Sequence, residues 1–279
     1  MNLKKCLLAD SDTLSAMGTT IETEHGPLTH IDNDGSVLAV CHRDWVYWER
    51  KPKISSGAVA KCPQLDDRLG LHAVLNVLPK RLRKMGSTVR YDILITDSEE
   101  IGQSTAQYFQ PEDFGVESDR YNWLFQFDRA GSDAVMYDYH TKANVNRLED
   151  VGYKVGHGSF TDICYLEQLG VAGWNLGTGY HRQHTKDCYA DLGELSNSVG
   201  KFAKFIDRHA GERIEHVETA KGQAGSTDPW GYNYCENEAI STIYCDVREI
   251  SFPICAACNH EVVYSDYQCP NCGSDLCYG

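Results

Sequence analysis

Residues 90–102 read RYDILITDSEEIG, an apolar strand pattern that ends in a pair of adjacent glutamates. Ile93, Leu94 and Ile95 form the apolar run, and Glu99 and Glu100 follow it after a short polar turn. Open α/β sheets gather their ligands just beyond the carboxyl ends of the strands. This stretch therefore predicts both a buried strand and the edge of the sheet at which chemistry takes place.

Three further stretches repeat this pattern of an apolar run followed by a polar strand end. They are residues 37–41 before His42, residues 123–127 before Asp128, and residues 171–176 before a glycine-rich turn that leads to His184. Residues 134–139 predict a strand beside the third of these. Each polar strand end is a candidate functional position.

Helical patterns alternate with these strands. Apolar residues at helical spacing follow Asp66, with a bend expected at Pro79, and recur over residues 192–206, while residues 161–169 predict a short helix. Strands alternating with helices predict an α/β fold, a three-layer α/β/α domain with a mostly parallel central sheet. We place this domain at residues 1–210 and a connector at residues 211–250.

The polar strand ends supply two imidazoles and three carboxylates that could converge although they are far apart in sequence. The five residues are His42, Asp66, Glu100, Asp128 and His184. Nitrogen and oxygen ligands in this number suit a pair of zinc ions that share one bridging carboxylate.

At these positions the sequence resembles the co-catalytic zinc exopeptidases, a family that includes leucyl-type and deblocking aminopeptidases and related acyl-amino-acid hydrolases. The resemblance covers roughly residues 35 to 208. It rests on the motifs His42-x-Asp44, Asp66-Asp67-Arg68, Glu99-Glu100-Ile101-Gly102, Asp128, Gly158-Ser159-Phe160-Thr161-Asp162 and His184-Thr185. Only 23 residues separate His42 from Asp66, and 55 separate Asp128 from His184. These short separations resemble the form of the family that lacks an inserted lid.

The resemblance implies a role for each matched residue. Asp66 would bridge both metals, His42 and Asp128 would complete the ligands of one ion, and Glu100 and His184 would complete those of the other. Glu99 would act as general base, which takes a proton from the attacking water and passes it to the leaving amine.

The remaining implied roles lie around these ligands. Asp44 would accept a hydrogen bond from the second ring nitrogen of His42 and fix its tautomer. Residues 158–162 would form a loop on the substrate side, with Ser159 and Asp162 in contact with substrate. Tyr180 is a candidate hydrogen-bond donor to the tetrahedral oxyanion, although packing is the plainer role for a tyrosine there.

Several positions have competing interpretations. Asp133 and Asp138 compete with Asp128 as a ligand, and His181 competes with His184. An Asp-Asp pair before a helix is often a helix cap, which is the interpretation favoured for Asp67.

The C-terminal residues 251–279 predict a separate zinc ribbon. Two Cys-x-x-Cys pairs lie ten residues apart and supply four thiolates for one closed, tetrahedral, structural zinc site. The four are Cys255, Cys258, Cys269 and Cys272. His260 is an alternative ligand, but the two pairs already complete the site. Because no Lys or Arg lies between Cys255 and Gly279, the ribbon is not of a nucleic-acid-binding kind.

The overall composition limits the partners. With 26 basic and 40 acidic residues the formal net charge is −14, which repels phosphate backbones and argues against a nucleic-acid partner. Residues 1–5 are not followed by the apolar segment of a secretory leader, and no apolar run is long enough for a transmembrane helix. We therefore expect a cytoplasmic protein without a membrane partner, whose twelve cysteines are metal ligands or buried thiols.

Together these observations favour a zinc metallopeptidase, an exopeptidase of the aminopeptidase kind, that acts on a peptide or acyl-amino-acid substrate. The expected cofactors are two catalytic zinc ions, which cobalt or manganese could replace, and one structural zinc ion. A deacylase or amidohydrolase that acts on a non-peptide amide is an alternative, and so is a non-catalytic scaffold that binds protein through its ribbon. Members of the resembled family often assemble, so a homo-oligomer is a further expectation.

Overall fold

The computed structural model of the protein describes residues 2–54, 59–158 and 160–217, together with the course of two further strands, Ile240–Cys245 and Ile250–Cys255. The chain divides into two compact units, residues 1–219 and residues 220–279. The helices are α1 (Leu3–Leu8), α2 (Ser11–Ser15), α3 (Leu65–His72), α4 (Leu78–Met85), α5 (Lys142–Glu149) and α6 (Leu192–His209). The strands are β1 (Thr19–Thr23), β2 (Gly26–Ile31), β3 (Val37–His42), β4 (Lys53–Ile54), β5 (Val59–Lys61), β6 (Asp92–Thr96), β7 (Trp123–Arg129), β8 (Ala134–Val135), β9 (Gly173–Gly177), β10 (Tyr180–His181), β11 (Tyr189–Asp191), β12 (Ile240–Cys245) and β13 (Ile250–Cys255).

A seven-stranded mixed sheet forms the centre of the first unit, in the order β1-β2-β6-β3-β7-β9-β8. Its four inner strands, β6, β3, β7 and β9, run parallel, and β1, β2 and β8 join the edges in antiparallel orientation. The predicted α/β fold with a mostly parallel central sheet is confirmed. The antiparallel strands β1 and β2 were not predicted.

Side-chain alternation along β7 separates an apolar face of the sheet from a polar one. Trp123, Phe125 and Phe127 point to the face that α6 covers, where the ring of Phe202 lies 4.5 Å from that of Phe125. Burying each such aromatic ring stabilises the fold by about 1.5–3 kcal/mol. Alternation then directs Gln126, which is also buried, to the opposite face.

The helix after Asp66 is longer and less regular than predicted. A five-residue π-helical segment, Ala73–Val77, joins α3 to α4, and Pro79 lies in the first turn of α4. A proline is tolerated there because its missing N–H removes little from the first turn. α4 ends at Gly86, whose φ of 76° is the left-handed conformation of a helix C-cap.

A second, four-stranded antiparallel sheet in the order β10-β11-β5-β4 was not predicted. It joins the segment before Asp66 to the segment after His184, and the Cys62 N–H donates to the Cys188 carbonyl at 3.1 Å. Two segments more than a hundred residues apart are thereby fixed beside the carboxyl edge of the main sheet.

Two predicted elements are shorter than expected. Residues 134–139 contain only the two-residue strand β8 and the 3₁₀ turn Tyr137–Tyr139, and residues 161–169 contain the 3₁₀ turns Asp162–Tyr165 and Glu167–Leu169. Contacts of the first unit also continue past the expected boundary at residue 210. The Ile214 N–H donates to the Asn122 carbonyl at 2.9 Å, and the Ala172 N–H donates to the Ile214 carbonyl at 2.8 Å.

In the second unit, β12 and β13 form an antiparallel pair, and Cys255 is the last residue of β13. Cys258, Cys269 and Cys272 lie outside the described residues, so the structural zinc site stays a prediction. None of the described helices is long and apolar enough to cross a membrane.

Candidate functional site

The predicted ligands meet at the carboxyl edge of the parallel strands. His42 is the last residue of β3, Glu99 and Glu100 begin the 3₁₀ turn after β6, and Asp128 lies near the end of β7. His184 comes from the loop between β10 and β11, and Asp66 from the start of α3. This is the edge at which open α/β sheets bind their ligands.

Asp66 lies between the two histidines, and its two carboxylate oxygens face different ones. Its Oδ1 atom is 3.3 Å from Nε2 of His42, and its Oδ2 atom is 3.2 Å from Nε2 of His184. Glu100 completes the second group, with Oε2 at 3.1 Å from Nε2 of His184. A carboxylate that presents one oxygen to each of two ligand groups has the arrangement of a bridging ligand.

His42 belongs to the other group. Its Nε2 atom is 3.6 Å from Oδ1 of Asp128 and 3.9 Å from Oε2 of Glu99. The side chain is fully buried, and neither ring nitrogen makes a hydrogen bond of good geometry. A buried imidazole nitrogen that faces three carboxylates without a hydrogen bond is a position that a metal ion would satisfy.

Asp44 holds this arrangement from behind. Its Oδ1 atom is 3.2 Å from Nδ1 of His42, and its Oδ2 atom accepts the Glu100 N–H at 3.0 Å. The same side chain therefore orients one predicted ligand and anchors the backbone of another.

The centre has an excess of carboxyl groups, and the pKa values of two of them are raised. Burial raises the pKa of Glu99 to about 9, with neighbouring carboxylates adding to the effect and His42 opposing it. Burial and the Asp66 charge similarly raise the pKa of Asp128 to about 8. Bound cations favour the ionised carboxylates.

The pKa values of the two imidazoles are also raised, which favours their positively charged forms. Hydrogen bonding to Asp66 and Glu100 raises the pKa of His184 to about 10. Burial lowers the pKa of His42, but the facing carboxylates of Asp128, Asp44 and Asp66 outweigh it and raise the pKa well above its usual value. In the protein alone these protons supply the positive charge that metal ions would supply, and metal binding would displace them.

The donor set could therefore hold a divalent cation, and His42 belongs to both of the groups of ligand atoms that lie close enough together. One group of possible ligand atoms comes from His42, Asp66 and Glu100, and another from His42, Asp67 and Asp128, with the atoms of each group within 4.8 Å of one another. Imidazole nitrogen and carboxylate oxygen are ligands that zinc, cobalt and manganese all accept.

A polar layer that the sequence analysis missed fixes the Asp128 carboxylate. Its Oδ2 atom lies 2.8 Å from the Thr161 hydroxyl and 3.2 Å from Nε2 of Gln126, and its Oδ1 atom accepts the Tyr180 hydroxyl at 3.0 Å. Gln126 has a sequence signal, because it lies two residues before Asp128 and so shares its side of the strand.

Two of the predicted substrate contacts are buried beside the candidate ligands. Asp162 is fully buried, accepts a hydrogen bond from Nε2 of Gln126 at 2.8 Å and hydrogen bonds to Ser104, so it supports the centre from inside. Tyr180 is also buried, and its hydroxyl is directed to Asp128. Ser159 lies outside the described residues.

The alternative ligands face other partners. Asp133 forms an ion pair with Arg129 at 2.9 Å, and His181 lies 3.2 Å from Glu194. Asp138 is exposed in the 3₁₀ turn Tyr137–Tyr139. Among these competing residues, Asp128 and His184 are the ones that face the centre.

Asp67 has the cap geometry that the sequence analysis favoured, because its Oδ1 atom accepts the Gly70 N–H at 3.1 Å. A Cβ atom at Gly70 would lie 2.0 Å from the Phe127 carbonyl oxygen and 2.1 Å from Oδ1 of Asp67. Only glycine fits at this position, and its absence of a side chain lets α3 carry Asp66 close to β7.

Comparison with known proteins relates the fold to that of peptidases. No family model matches the chain, and no curated protein matches its sequence. The fold is similar to that of a tripeptidase from Staphylococcus aureus subsp. aureus Mu50, with a TM-score of 0.55 at 11% identity over 76% of this chain and 97% of that chain. Similar values relate it to aminopeptidase PepT from Bacillus cereus ATCC 10987, with a TM-score of 0.54 at 11% identity over 74% of this chain and 96% of that chain.

An archaeal enzyme extends this likeness. The aminopeptidase APDkam598 from Desulfurococcus kamchatkensis has a TM-score of 0.54 at 12% identity, over 79% of this chain and 98% of that chain. At such low identities the likeness establishes the fold. The chain thus carries the candidate metal ligands on a fold that solved aminopeptidases and a tripeptidase share.

Proposed function

We propose that this chain is a metal-dependent exopeptidase of the aminopeptidase kind, which hydrolyses the amide bond of a peptide. The observation that carries the proposal is the placement of Asp66, whose two oxygens face His42 on one side and His184 on the other. The peptidases with a similar fold support the same reaction class.

The residues divide into two ligand sets around Asp66. His42 and Asp128 would hold one cation, and Glu100 and His184 the other, with zinc as the expected metal and cobalt or manganese as substitutes. A pair of bound cations supplies Lewis-acid activation of the water nucleophile and of the substrate carbonyl. We also retain a third, structural zinc ion at the four ribbon cysteines as part of the proposal.

Glu99 is the proposed general base. It adjoins the ligand Glu100 but lies on the side of His42 and Asp128, and its side chain is only 13% exposed. Adjacent glutamates diverge, so Glu100 can bind metal while the Glu99 carboxylate stays free to accept a proton from water. Glu99 then donates that proton to the leaving amine, and the amide C–N bond breaks as the carboxylic acid product forms.

The protein holds these groups in place through buried contacts. Asp44 orients His42 and anchors the Glu100 backbone, while Gln126 and Thr161 orient Asp128. Such partners of metal ligands fix the ligand orientation and account for much of the affinity of metal sites.

A groove beside the centre offers room for substrate. It has a volume of about 410 Å³ and is lined by Asp44, Trp45, Val46, Ser98, Glu100 and Ile101. Because Ile101 is 69% exposed and Val46 45% exposed, apolar surface is available next to a predicted metal ligand. This groove suits an aliphatic part of a peptide substrate.

The direct test is hydrolysis of aminoacyl anilides and short peptides by the metal-loaded protein and by Glu99→Gln. Loss of the general base should lower kcat by about 10²- to 10⁴-fold while the metal content stays at the wild-type level. Absence of hydrolysis by the metal-loaded wild-type protein across the whole panel would refute the proposed function.

A further inference from the structure

A second and larger cavity, of about 920 Å³, lies on the side of the centre from which His184 comes. Its walls come from two segments, one between β3 and α3 and one between β10 and β11. The lining residues are Tyr47, Trp48, Glu49, Lys51, Lys53, Val59, Lys61, Cys62, Pro63, Arg182, Lys186, Asp187, Cys188 and Tyr189. A volume of this size accommodates a ligand of several residues.

The charge of this cavity is opposite to that of the protein as a whole. Five basic side chains line it, against the two acidic side chains of Glu49 and Asp187, whereas the whole chain has a net charge of −14. The five are Lys51, Lys53, Lys61, Arg182 and Lys186. Concentrating cations in one concave surface of an acidic protein creates a local field that attracts anions.

Within the part of the chain that the structure describes, these cations are not used in ion pairs. Among the described residues none of the five has a carboxylate within the 4.0 Å range of a salt bridge, whereas Arg120, Arg129 and Arg213 each have one. Only Lys186 has a described partner, the face of the Tyr47 ring at 5.7 Å. The positive charges therefore remain available to a ligand.

The cavity and the candidate metal centre share two segments of the chain. Arg182 and Lys186 flank His184 in one loop, and Cys62 is hydrogen-bonded to Cys188 at 3.1 Å, only four residues before Asp66. The loop that supplies the candidate ligand His184 therefore also supplies two of the cations of the cavity.

We propose that this cavity selects acidic peptides, in which a glutamate or aspartate side chain near the scissile bond contacts the unpaired cations. The inference rests on the proposed peptidase function and names its substrate class. The size of the cavity, about 920 Å³, favours an extended peptide over a small inorganic anion.

The test compares peptides that differ by one charge only. The substrates are alanine tetrapeptides that carry a single glutamate, or a single glutamine, at position one, two or three. Their hydrolysis is measured with the wild type, with Lys61→Gln, with Lys186→Gln and with the double variant. Lys204→Gln, an exposed lysine on α6 outside the cavity, is the matched control. The readout is the ratio of kcat/KM for the glutamate peptide to that for its glutamine partner.

We expect this ratio to exceed about tenfold for at least one position in the wild type, because several exposed charge contacts act together. Each single variant should lower it by roughly two- to fivefold, the double variant by about the product, and Lys204→Gln not at all. Raising the salt concentration should reduce the ratio in the wild type, since exposed charges are screened.

Equal rates for glutamate and glutamine peptides, with normal hydrolysis of the all-alanine peptide, would overturn the inference and leave the proposed function standing. If no peptide is hydrolysed at all, the proposed function fails. A binding measurement then tests the cavity independently of hydrolysis. Fluorescence anisotropy compares the binding of a fluorescein-labelled tetraglutamate peptide to two inactive proteins, the single variant Glu99→Gln and the triple variant Glu99→Gln/Lys61→Gln/Lys186→Gln. Tighter binding to the protein with both lysines supports the inference, and equal binding overturns it.

Discussion

Replacement of Gln126 by glutamate tests the polar layer behind the proposed metal centre with almost no change in side-chain volume. Nε2 of Gln126 donates to Oδ2 of Asp128 at 3.2 Å and to Oδ2 of Asp162 at 2.8 Å. Glutamate removes both donors and brings a third carboxyl group against two existing ones. The Asp128 carboxylate then loses one of the contacts that direct it toward His42.

The expected magnitude follows from the lost contact. A hydrogen bond to a charged group contributes about 1.5–3 kcal/mol, and about 1.4 kcal/mol corresponds to a factor of ten in affinity. We therefore expect the ion held by His42 and Asp128 to bind about ten- to 100-fold more weakly, a range found for other partners of metal ligands. The ion held by Glu100 and His184 should be affected less, because Gln126 contacts neither residue.

The assay is a competition titration with a chromophoric chelator, followed by kcat/KM at saturating metal. Gln110→Glu, which adds the same charge at an exposed position, is the matched control and should match the wild type. Circular dichroism at the assay temperature establishes that the variant is folded. If folded Gln126→Glu binds both ions with wild-type affinity, the contact between Gln126 and Asp128 does not support the centre and the reasoning is refuted.

Two further variants probe contacts at opposite ends of the parallel strands, since Asp44 follows the end of β3 and Asp92 begins β6. Asp44→Asn weakens both the orientation of His42 and the anchor on the Glu100 N–H, so we expect kcat to fall by about ten- to 100-fold in steady-state hydrolysis; a change below twofold would contradict this role. Asp92→Asn perturbs a buried carboxylate that accepts the Tyr121 hydroxyl at 3.0 Å and two backbone N–H groups, and should lower the free energy of unfolding by about 1–3 kcal/mol in urea titrations at pH 7. Burial raises the pKa of Asp92, but its hydrogen bonds outweigh burial and lower the pKa below its usual value. The contribution of Asp92 to stability is therefore complete above about pH 4 and is lost as the pH falls through the folded-state pKa. A difference between Asp92→Asn and wild type that grows on acidification would have the wrong sign.

The strand ends could be predicted from sequence because each is a local signal. The apolar run of β3 leads directly into His42, that of β6 into the Glu99-Glu100 pair, and that of β7 into Asp128. The rule that ligands gather at the carboxyl edge of a parallel sheet then brings them together without any distance information. The structure places all of them at that edge.

The residues behind the ligands were harder to predict because their partners are distant in sequence. Asp162 is attached to Gln126 from 36 positions away, and the second sheet joins Cys62 to Cys188. Short 3₁₀ turns position Asp162, and such turns leave no periodic signal. Gln126 could have been found, since a glutamine in the middle of a buried strand needs hydrogen-bonding partners.

The basic cavity could not be predicted from the amino-acid composition for a similar reason. Its lysines are spread over β4, β5 and two loops, and only the pairing of β5 with β11 brings Lys61 and Lys186 to one concave surface. The net charge of −14 predicts an acidic surface on average, and the fold creates a local exception. The proposed selection of acidic peptides therefore depends on the strand pairing of the second sheet.

Metal content tests the central claim that Asp66 bridges two cations. Elemental analysis of the purified wild-type protein should give about three divalent ions per chain, two at the centre and one in the ribbon. Asp66→Ala should retain about one ion and lose hydrolysis, whereas Asp207→Ala, an exposed aspartate on α6, should match the wild type. Equal metal content in wild type and in folded Asp66→Ala would contradict the account, because the carboxylate that faces both histidines would then hold neither ion.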